Sequence, residues 1–397
     1  MDDSNKSVKE LRALCKQKKI KGITGKSKDE LLALLQPTPS ASPTANAAEP
    51  VTTTAQTAPP TTPFYTANAL HALSIDKRTY SCIYLDPPYA SGRDYKYAEQ
   101  DTQAAFTDKF TPAQYKEWLT KLIQACKSRL AANGTLWFHI AAEYSFIPEQ
   151  ILQAEFKDVE KIFWKKSHGK NTVKSKMGAV IDILFRCWSG PSPTFHLQYV
   201  PLDAYYFEHS YKNKDERGLY ALGSLRFDKT RSGNSYEVKH DGVTYKAPYG
   251  WKVKKEEMDR LLAEGRIHFV LPNEKREGNL YKKLYKDECK GKPLSNLWDD
   301  ISYITRTQQD PRTYPTQKPL KLLQRILAIS SNPGDWILDP TAGSGTTGIA
   351  ASGMGRNCVL IDINPDAKKI FESRLAAAAA QSDTLVEEDS DLTDNAI

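Results

Sequence analysis

Residues 335–348 read DWILDPTAGSGTTG, and this stretch decides the fold of the 397-residue chain. Its apolar start predicts a short buried strand, and its glycines predict a tight turn into a helix that begins near Thr346. Gly343 and Gly345 permit close approach of a ligand to the backbone, as at helix N-termini that hold phosphate or nucleotide groups. The stretch therefore predicts an α/β fold with a nucleotide-like ligand.

A second strand, Cys358–Ile361, is predicted after this helix and leads to Asp362, 23 residues beyond Asp339. A carboxylate at that point lies where nucleotide-binding folds grip ribose hydroxyls. The hexapeptide GSGTTG at 343–348 also satisfies the G-x-G-x-x-G pattern, so a NAD-type oxidoreductase is a competing interpretation. A P-loop is excluded because no lysine follows the glycines.

Upstream, the predicted buried strand Ser81–Leu85 runs into the tetrapeptide Asp86-Pro87-Pro88-Tyr89. Prolines carry no N–H, so their carbonyls and the carboxylate can accept hydrogen bonds from an amine. The tyrosine ring can stack on a flat base. The plainer alternative is a proline-rich strand exit.

A third motif, YPTQKP at 314–319, leads into a predicted helix over Leu320–Ile329. By itself it reads as a proline-initiated helix. It gains weight because it stands one helix before the glycine-rich turn.

Alternating elements fill much of the remaining chain. A helix is predicted over Pro112–Leu130, and strands over Thr135–Ile140 and Val180–Trp188, which favours a parallel sheet covered on both faces. The alternation breaks between residues 189 and 300. Residues 161–300 carry 27 Lys+Arg against 18 Asp+Glu, so the insertion predicts a basic second lobe.

The ends of the chain differ from its centre in composition. Residues 37–63 are rich in Pro, Thr, Ser and Ala, which predicts a flexible linker that isolates residues 1–36. That first module has two short amphipathic patterns. It resembles a SAP domain, a small helical DNA-binding unit, through GKSKDEL at 25–31; an amphipathic hairpin with a basic face is the alternative. Residues 381–397 are acidic and predict a disordered tail.

Charge and cysteine usage exclude several classes of protein. The net charge of +7 conceals a tail with six acids and no Lys or Arg, so the rest of the chain is more basic and suits a polyanionic partner. Six cysteines without a C-x-x-C pair argue against a zinc site or a disulfide framework and indicate a reducing compartment. The sequence lacks an apolar run of ~18 residues and a signal-peptide core, so neither a membrane span nor secretion is expected.

Three stretches together resemble the amino-methylating DNA methyltransferases that use S-adenosylmethionine: YLDPPYASGRDYKY from Tyr84, TQKPLKLLQRILAISSNPGDWILDPTAGSGTT from Thr316, and IDINPD from Ile361. Their order is that of the β group, in which the catalytic tetrapeptide precedes the cofactor motif, and the resemblance covers residues 64–374. RGLY, GW, EGRIHF and LWDDI, which begin at 217, 250, 264 and 297, resemble the recognition region of type III modification subunits. Two pairs depart from the family: Thr341-Ala342 replaces a pair that usually begins with Phe, and Ala67-Asn68 stands where relatives often show Gly-Asp.

The resemblance implies a Rossmann-like, doubly wound methyltransferase sheet with circularly permuted motif order. The methyltransferase domain is expected over 64–380, with an inserted target-recognition region over about 189–300. The implied catalytic residues are Asp86, Pro87, Pro88 and Tyr89. The implied contacts to S-adenosylmethionine are Asp339, Pro340, Gly343, Ser344, Gly345, Thr346, Asp362 and Lys318.

Basic side chains supply the candidate DNA contacts, which would position the DNA backbone and not specify sequence. They are Lys165, Lys166, Lys170, Lys174 and Lys176 near the second lobe, and Lys26 and Lys28 in the first module. The histidines show no metal-binding spacing, so no metal is expected.

The expected function is methyl transfer from S-adenosylmethionine to adenine N6 of a base flipped out of double-stranded DNA, because Asp-Pro-Pro-Tyr goes mostly with adenine in this family. Cytosine-N4 methylation, a NAD-type oxidoreductase and a non-catalytic DNA-binding scaffold stay open as alternatives. The expected location is intracellular and DNA-associated, in the cytoplasm and nucleoid or in a nucleus. A homodimer and a separate restriction subunit are partners that the sequence leaves open.

Overall fold

The computed structural model describes residues 59–95, 106–167, 177–274, 277–304 and 313–391. The SAP-like module and almost all of the predicted linker lie outside these residues, as do Lys26, Lys28, Lys170, Lys174 and Lys176.

Helices and strands alternate through the first and last thirds of the described chain, and short strands dominate its middle. The helices are α1 (Ala69–Ile75), α2 (Pro112–Lys127), α3 (Phe146–Glu155), α4 (Ala204–Ser210), α5 (Lys255–Ala263), α6 (Leu320–Ser330), α7 (Thr346–Gly353) and α8 (Pro365–Asp391). The first nine strands are β1 (Phe64–Thr66), β2 (Tyr80–Leu85), β3 (Asp94–Tyr95), β4 (Phe106–Thr107), β5 (Leu130–Ala141), β6 (Asp158–Lys165), β7 (Ile181–Trp188), β8 (Tyr199–Val200) and β9 (Asn213–Lys214). The others are β10 (Leu219–Ser224), β11 (Val238–His240), β12 (Val243–Tyr245), β13 (Ile267–Val270), β14 (Asn279–Tyr285), β15 (Lys292–Pro293), β16 (Leu297–Trp298), β17 (Trp336–Asp339) and β18 (Asn357–Asp362).

The central sheet has eight strands among the described residues, in the order β1-β18-β17-β2-β5-β7-β6-β16. The first five run parallel to one another, and β6 and β16 are also parallel. The predicted α/β sheet is therefore confirmed. The expectation of a wholly parallel sheet was wrong, because β7 runs antiparallel to both β5 and β6. β6 and β7 are consecutive along the chain, and antiparallel pairing lets the chain return directly to its neighbour.

Both faces of the sheet are covered by helices. Side chains alternate along β2, so Cys82 and Tyr84 enter the core beneath α6, α7 and α8, whereas Ile83 and Leu85 enter the core beneath α1, α2 and α3. A strand buried on both sides is apolar throughout, which is why β2 and β17 were recognisable in the sequence.

Helix α2 supplies one wall of the site described below, and its sequence fixes where it begins. Thr111 and Gln114 form a capping box: the Thr111 hydroxyl accepts from the Gln114 N–H, and the Gln114 amide oxygen accepts from the Thr111 N–H. Pro112 occupies the first turn, where a missing N–H costs nothing. Tyr115 and Leu119 then point into the core.

The predicted insertion forms a second lobe with a core of its own. A four-stranded sheet in the order β13-β14-β10-β9 and the hairpin β11–β12 surround buried side chains that include Trp251, Met258 and Leu280. The lobe ends before residue 300, because Leu297 and Trp298 return to the central sheet beside β6.

The C-terminal segment contains a long helix. Helix α8 continues to Asp391 and so enters residues 381–397, whose disorder stays a prediction. Residues 376–380 are five alanines, and alanine has the highest helix propensity of any residue type, which favours continuation of the helix. Within the described residues, no helix combines the length and apolar character needed to cross a membrane.

Candidate active site

The three motifs meet at the carboxyl ends of two adjacent strands, β17 and β2. From β17 the chain passes through α7 to β18 on one side, and from β2 it passes through α2 to β5 on the other. This is a topological switch point, where open α/β sheets bind ligands. A cavity of about 300 Å³ lies there. Its walls include Asp86, Pro87, Pro88, Tyr89, Lys318, Asp339, Pro340, Gly343, Ser344, Thr346 and Asp362.

The Asp86 carboxylate is engaged through both oxygens. Its Oδ1 accepts a hydrogen bond from the Tyr89 hydroxyl at 2.8 Å, and its Oδ2 forms an ion pair with the Lys318 ammonium. The side chains of Asp86 and Lys318 are 16% and 11% exposed, so water screens this pair only weakly. Burial and the Asp86 charge raise the pKa of Tyr89 well above its usual value, which keeps this hydroxyl a donor.

The loop after the tetrapeptide is held by a buried carboxylate that the sequence did not single out. Asp108 is 1% exposed and accepts from the N–H groups of Ala90 and Ser91 at 2.7 and 2.9 Å, and from the Ser91 hydroxyl at 2.6 Å. Ala90 has a φ of +58°, an unusual conformation for a residue with a Cβ. Asp108 therefore fixes a strained turn directly after the tetrapeptide.

Helix α2 closes this side of the cavity with aromatic side chains. The Tyr115 hydroxyl donates to the Pro88 carbonyl at 2.9 Å. Trp118 stacks on Phe110 with ring centroids 5.4 Å apart, and both rings line the cavity. This wall offers flat apolar surface to a ring-containing ligand.

Asp339, at the end of β17, is 2% exposed. It accepts from the Thr347 hydroxyl at 2.6 Å and from the Thr341 N–H at 3.1 Å. The pKa of Asp339 is raised to about 7, chiefly by burial and also by the nearby charges of Asp86 and Asp362, against the opposing effect of the two hydrogen bonds. A buried carboxylate with so high a pKa favours a cationic ligand, which would stabilise its ionised form.

Asp362 organises the glycine-rich turn from the neighbouring strand. Its two oxygens accept from the backbone N–H groups of Gly343 and Asn364, each at 2.8 Å. Burial raises the pKa of Asp362 in spite of these bonds. Its predicted contact to a ribose stays a prediction, and Asp362 lies on the cavity wall where such a contact would form.

The two glycines of the turn serve different purposes. Gly343 lines the cavity with a φ of +50°, and a Cβ there would lie 3.2 Å from the Tyr314 ring. Gly345 has a φ of +71°, and its Cβ would lie 2.3 Å from Phe371 of α8. Packing of α8 against the turn therefore requires glycine at residue 345, and the predicted contact of Gly345 with the cofactor stays a prediction.

Ser344 and Thr346 line the cavity beside the start of α7. Their hydroxyls lie 3.2 Å apart, and Arg374 of α8 donates to the Thr346 hydroxyl at 3.1 Å and to the Ser344 carbonyl at 2.8 Å. Both predicted cofactor contacts are thus held in place by α8.

Lys318 was expected to meet the carboxylate of the cofactor, and the structure places its ammonium on Asp86. The ammonium also lies 5.8 Å from the centre of the Tyr89 ring. The YPTQKP motif therefore reaches the tetrapeptide Asp86–Tyr89 directly, a contact that the sequence did not indicate.

A buried polar chain leads from the cavity wall across the sheet. The Tyr84 hydroxyl lies 2.6 Å from His139 Nδ1, and His139 Nε2 lies 3.1 Å from Asp182. Lys166, one of the predicted DNA contacts, donates to the other Asp182 oxygen at 2.7 Å. Its ammonium is thus engaged within the fold, whereas the predicted neighbour Lys165 stands partly exposed at the end of β6.

The charge of the cavity provides a test of the cofactor. Within the described residues, its walls carry the carboxylates of Asp86, Asp108, Asp339 and Asp362 and the single ammonium of Lys318. Such an excess of negative charge fits S-adenosylmethionine, which carries a sulfonium and an ammonium group. It suits a nicotinamide dinucleotide less well, because its diphosphate would be repelled by these carboxylates.

Known proteins give the same indication. Residues 80–373 match the DNA methylase family that comprises N6- and N4-methyltransferases. The type II methyltransferase M.EcaI of Enterobacter cloacae is 27% identical over 316 residues, which are 79% of this chain and 68% of that protein. The DNA adenine methyltransferase YhdJ of Escherichia coli (strain K12) is 44% identical over 87 residues, 22% of this chain and 29% of that protein.

Among solved structures, that of the M1.HpyAVI–SAM complex aligns with a TM-score of 0.41 and 15% identity, and the alignment covers 79% of this chain and 98% of that one. The family match extends from the first residue of β2 into α8 and so includes all three motifs of the site. The chain belongs to the N6/N4 DNA methylase family.

Proposed function

We propose that this protein is a site-specific DNA methyltransferase that methylates adenine N6. The contact set of Asp86 carries this proposal: a weakly exposed carboxylate, a tyrosine ring and two proline carbonyls form one edge of a cavity whose other edge is an acidic, glycine-rich turn. The first edge accepts N–H groups and stacks on a flat ring, and the second suits a cationic ligand.

S-adenosylmethionine, the methyl donor of this family, supplies an electrophilic methyl group when bound. We assign its cationic part to the side of the cavity that carries Asp339, its ribose to Asp362, and its remaining contacts to Pro340, Gly343, Ser344 and Thr346. The packing of Gly345 supports this turn from behind.

The residues of the tetrapeptide orient the base. An exocyclic amine is a poor nucleophile because its lone pair is delocalised into the ring. Asp86 and the Pro87 carbonyl accept its two N–H bonds, which favours a pyramidal nitrogen with its lone pair directed across the cavity. Tyr89 stacks on the ring, a contact that contributes ~1–3 kcal/mol in other proteins. Positioning of this kind lowers the barrier by several kcal/mol.

DNA reaches this cavity only with the target base outside the stack, because a paired base hides its amine. The second lobe supports a role in DNA binding, since exposed Tyr205 and Tyr206 accompany its basic side chains. Lys165 and the lysines beyond the described residues stay candidate phosphate contacts, and the SAP-like module is a candidate second anchor. A homodimer or a restriction subunit would be additional partners.

The test is a methyl-transfer assay on unmodified DNA with a labelled donor, followed by hydrolysis to nucleosides and mass spectrometry. We expect N6-methyladenine. N4-methylcytosine would establish the family chemistry but move the target to cytosine, and no transfer to any DNA would contradict the proposal.

The matched variants are Asp86→Ala and Asp94→Ala. Asp94 pairs with Lys109 at a more exposed position, where an ion pair contributes little. We expect Asp86→Ala to lose transfer by at least about a thousandfold while it retains cofactor binding, and Asp94→Ala to stay near wild type. Full activity in Asp86→Ala would contradict the assigned role.

A further inference from the structure

One side chain joins the two edges of the cavity. Thr341 belongs to the glycine-rich turn after β17, and its hydroxyl oxygen accepts the backbone N–H of Asp86 at 3.1 Å. These two residues are 255 positions apart in the chain. The bond therefore connects the turn assigned to the cofactor with the loop assigned to the base.

The two prolines of the tetrapeptide make this contact important, because they leave few backbone N–H groups to fix the loop. Pro87 and Pro88 carry no N–H, so the N–H of Asp86 is the last backbone donor before Tyr89. Backbone N–H groups at the end of a strand normally form hydrogen bonds that fix the start of the next loop. At the end of β2, the donor of Asp86 goes to the side chain of Thr341.

Thr341 is itself held in position from the side of β17. Its own N–H donates to Asp339, and the other oxygen of Asp339 accepts from Thr347 in the first turn of α7. A displacement of Asp339 or of the turn is consequently transmitted through Thr341 to the backbone of Asp86. Thr341 also lines the cavity, so a ligand against the turn would contact it.

We propose that Thr341 is a positioning residue that couples occupancy of the glycine-rich turn to the placement of the Asp86 carboxylate. The inference rests on the proposed function, because it assigns the two edges of the cavity to cofactor and base. Coupling of this kind is reciprocal: if the cofactor strengthens DNA binding by some factor, DNA strengthens cofactor binding by the same factor.

Two substitutions separate the hydroxyl from the rest of the side chain. Thr341→Val keeps the shape and removes the acceptor, and Thr341→Ser keeps the acceptor and removes only the methyl group. Thr341→Val would leave the Asp86 N–H without its partner, whereas Thr341→Ser would keep it satisfied.

Hydrogen exchange at the Asp86 amide of the ligand-free protein gives a readout that does not depend on activity. We expect exchange to accelerate about tenfold in Thr341→Val and to stay near wild type in Thr341→Ser, with unchanged exchange in the core strand β17. Equal exchange rates at Asp86 in wild type and Thr341→Val would show that the Thr341 hydroxyl does not hold the Asp86 N–H.

The coupling is measured as the ratio of S-adenosylmethionine dissociation constants without and with a duplex oligonucleotide, together with the single-turnover transfer rate. We expect a ratio above one in the wild type that falls toward one in Thr341→Val, a rate about tenfold lower, and recovery of both in Thr341→Ser. A wild-type ratio of one, or equal impairment in Thr341→Ser and Thr341→Val, would overturn the proposal. If the wild type transfers no methyl group to DNA, the proposed function fails. The exchange experiment still decides whether the hydrogen bond between Thr341 and Asp86 holds the backbone of Asp86.

Discussion

The two loops that form the site are built in opposite ways. The loop after β17 is fixed by its own backbone and by neighbouring carboxylates, since the N–H groups of Thr341 and Gly343 donate to Asp339 and Asp362. The loop after β2 contains two prolines and relies on side chains from distant segments. These are Thr341, Asp108, Tyr115 and Lys318.

The difference teaches where each loop is vulnerable. The loop after β17 contains two glycines with positive φ, so it is sensitive to a change in its own dihedral angles. The loop after β2 is fixed by side chains from other segments, so it is sensitive to substitutions outside its own sequence. The following variants test this distinction, and their expected effects decrease from first to last.

Gly345→Ala should give the largest effect, on stability. Alanine would have to adopt a φ of +71°, and its Cβ would lie 2.3 Å from the Phe371 ring. We expect this strain to lower the free energy of unfolding by about 3 kcal/mol. Gly353→Ala at the C-terminal end of α7 is the control, because a Cβ there would have no atom within 4 Å. Urea unfolding of both variants makes the comparison, and equal stability would contradict the packing role of Gly345.

Asp339→Asn should weaken cofactor binding about thirtyfold at pH 8. Asp339 has a pKa raised from 3.8 to about 7, so its burial lowers the free energy of unfolding as the pH rises toward 7, with no further loss above 7. A cationic ligand that favours the ionised carboxylate gains affinity as the pH rises toward the same value. We expect the affinity of the wild type to increase between pH 6 and 8 and that of Asp339→Asn to change little. Calorimetric titration across this range measures both, and the same pH dependence in the two proteins would show that another group titrates.

Asp108→Asn should lower the transfer rate about tenfold with little loss of cofactor affinity. The amide can no longer accept from Ala90 and Ser91 through both of its polar atoms, so the strained turn loses part of its support. Single-turnover kinetics beside cofactor titration separate the two quantities. A change confined to cofactor affinity would mean that Asp108 supports the other loop.

Lys318→Met should have the smallest effect, about fivefold on both the rate and the cofactor affinity. Its ammonium holds Asp86, and the cofactor carboxylate is its second predicted partner. Lys318→Arg keeps the charge and serves as the control. A change in the rate alone would assign Lys318 to Asp86 only, and no change in either quantity would remove it from the site.

The sequence predicted which residues line the cavity better than it predicted the contacts among them. Asp86 follows a buried apolar strand, and Asp339 and Asp362 end two others. The carboxyl ends of parallel strands share one edge of the sheet, so the convergence of these residues was predictable. Whether Lys318 faces a ligand or Asp86 depends on the path of the loop before α6, which no local pattern encodes. Asp108 and His139 act through partners outside their own local sequence and carry no motif of their own.

The fold shows the same limit. β2, β17 and α7 were predictable because strong apolar runs and glycines mark them. β6 was missed because charged residues precede its apolar ones, and the consecutive Ile162, Phe163 and Trp164 break the alternating signal. Leu297 and Trp298 form a strand that is too short to recognise in the sequence, although Trp298 is buried in the central core.

The stacked pair of Phe110 and Trp118 gives the protein a built-in optical reporter. The indole of Trp118 borders the cavity. Four other tryptophans are at most 1% exposed and lie in the cores: Trp137, Trp164, Trp251 and Trp298. A ligand that fills the cavity should change the emission of this indole while the buried tryptophans keep theirs. Fluorescence, with Trp118→Phe as the silent reference, can therefore follow loading of the unlabelled protein in real time.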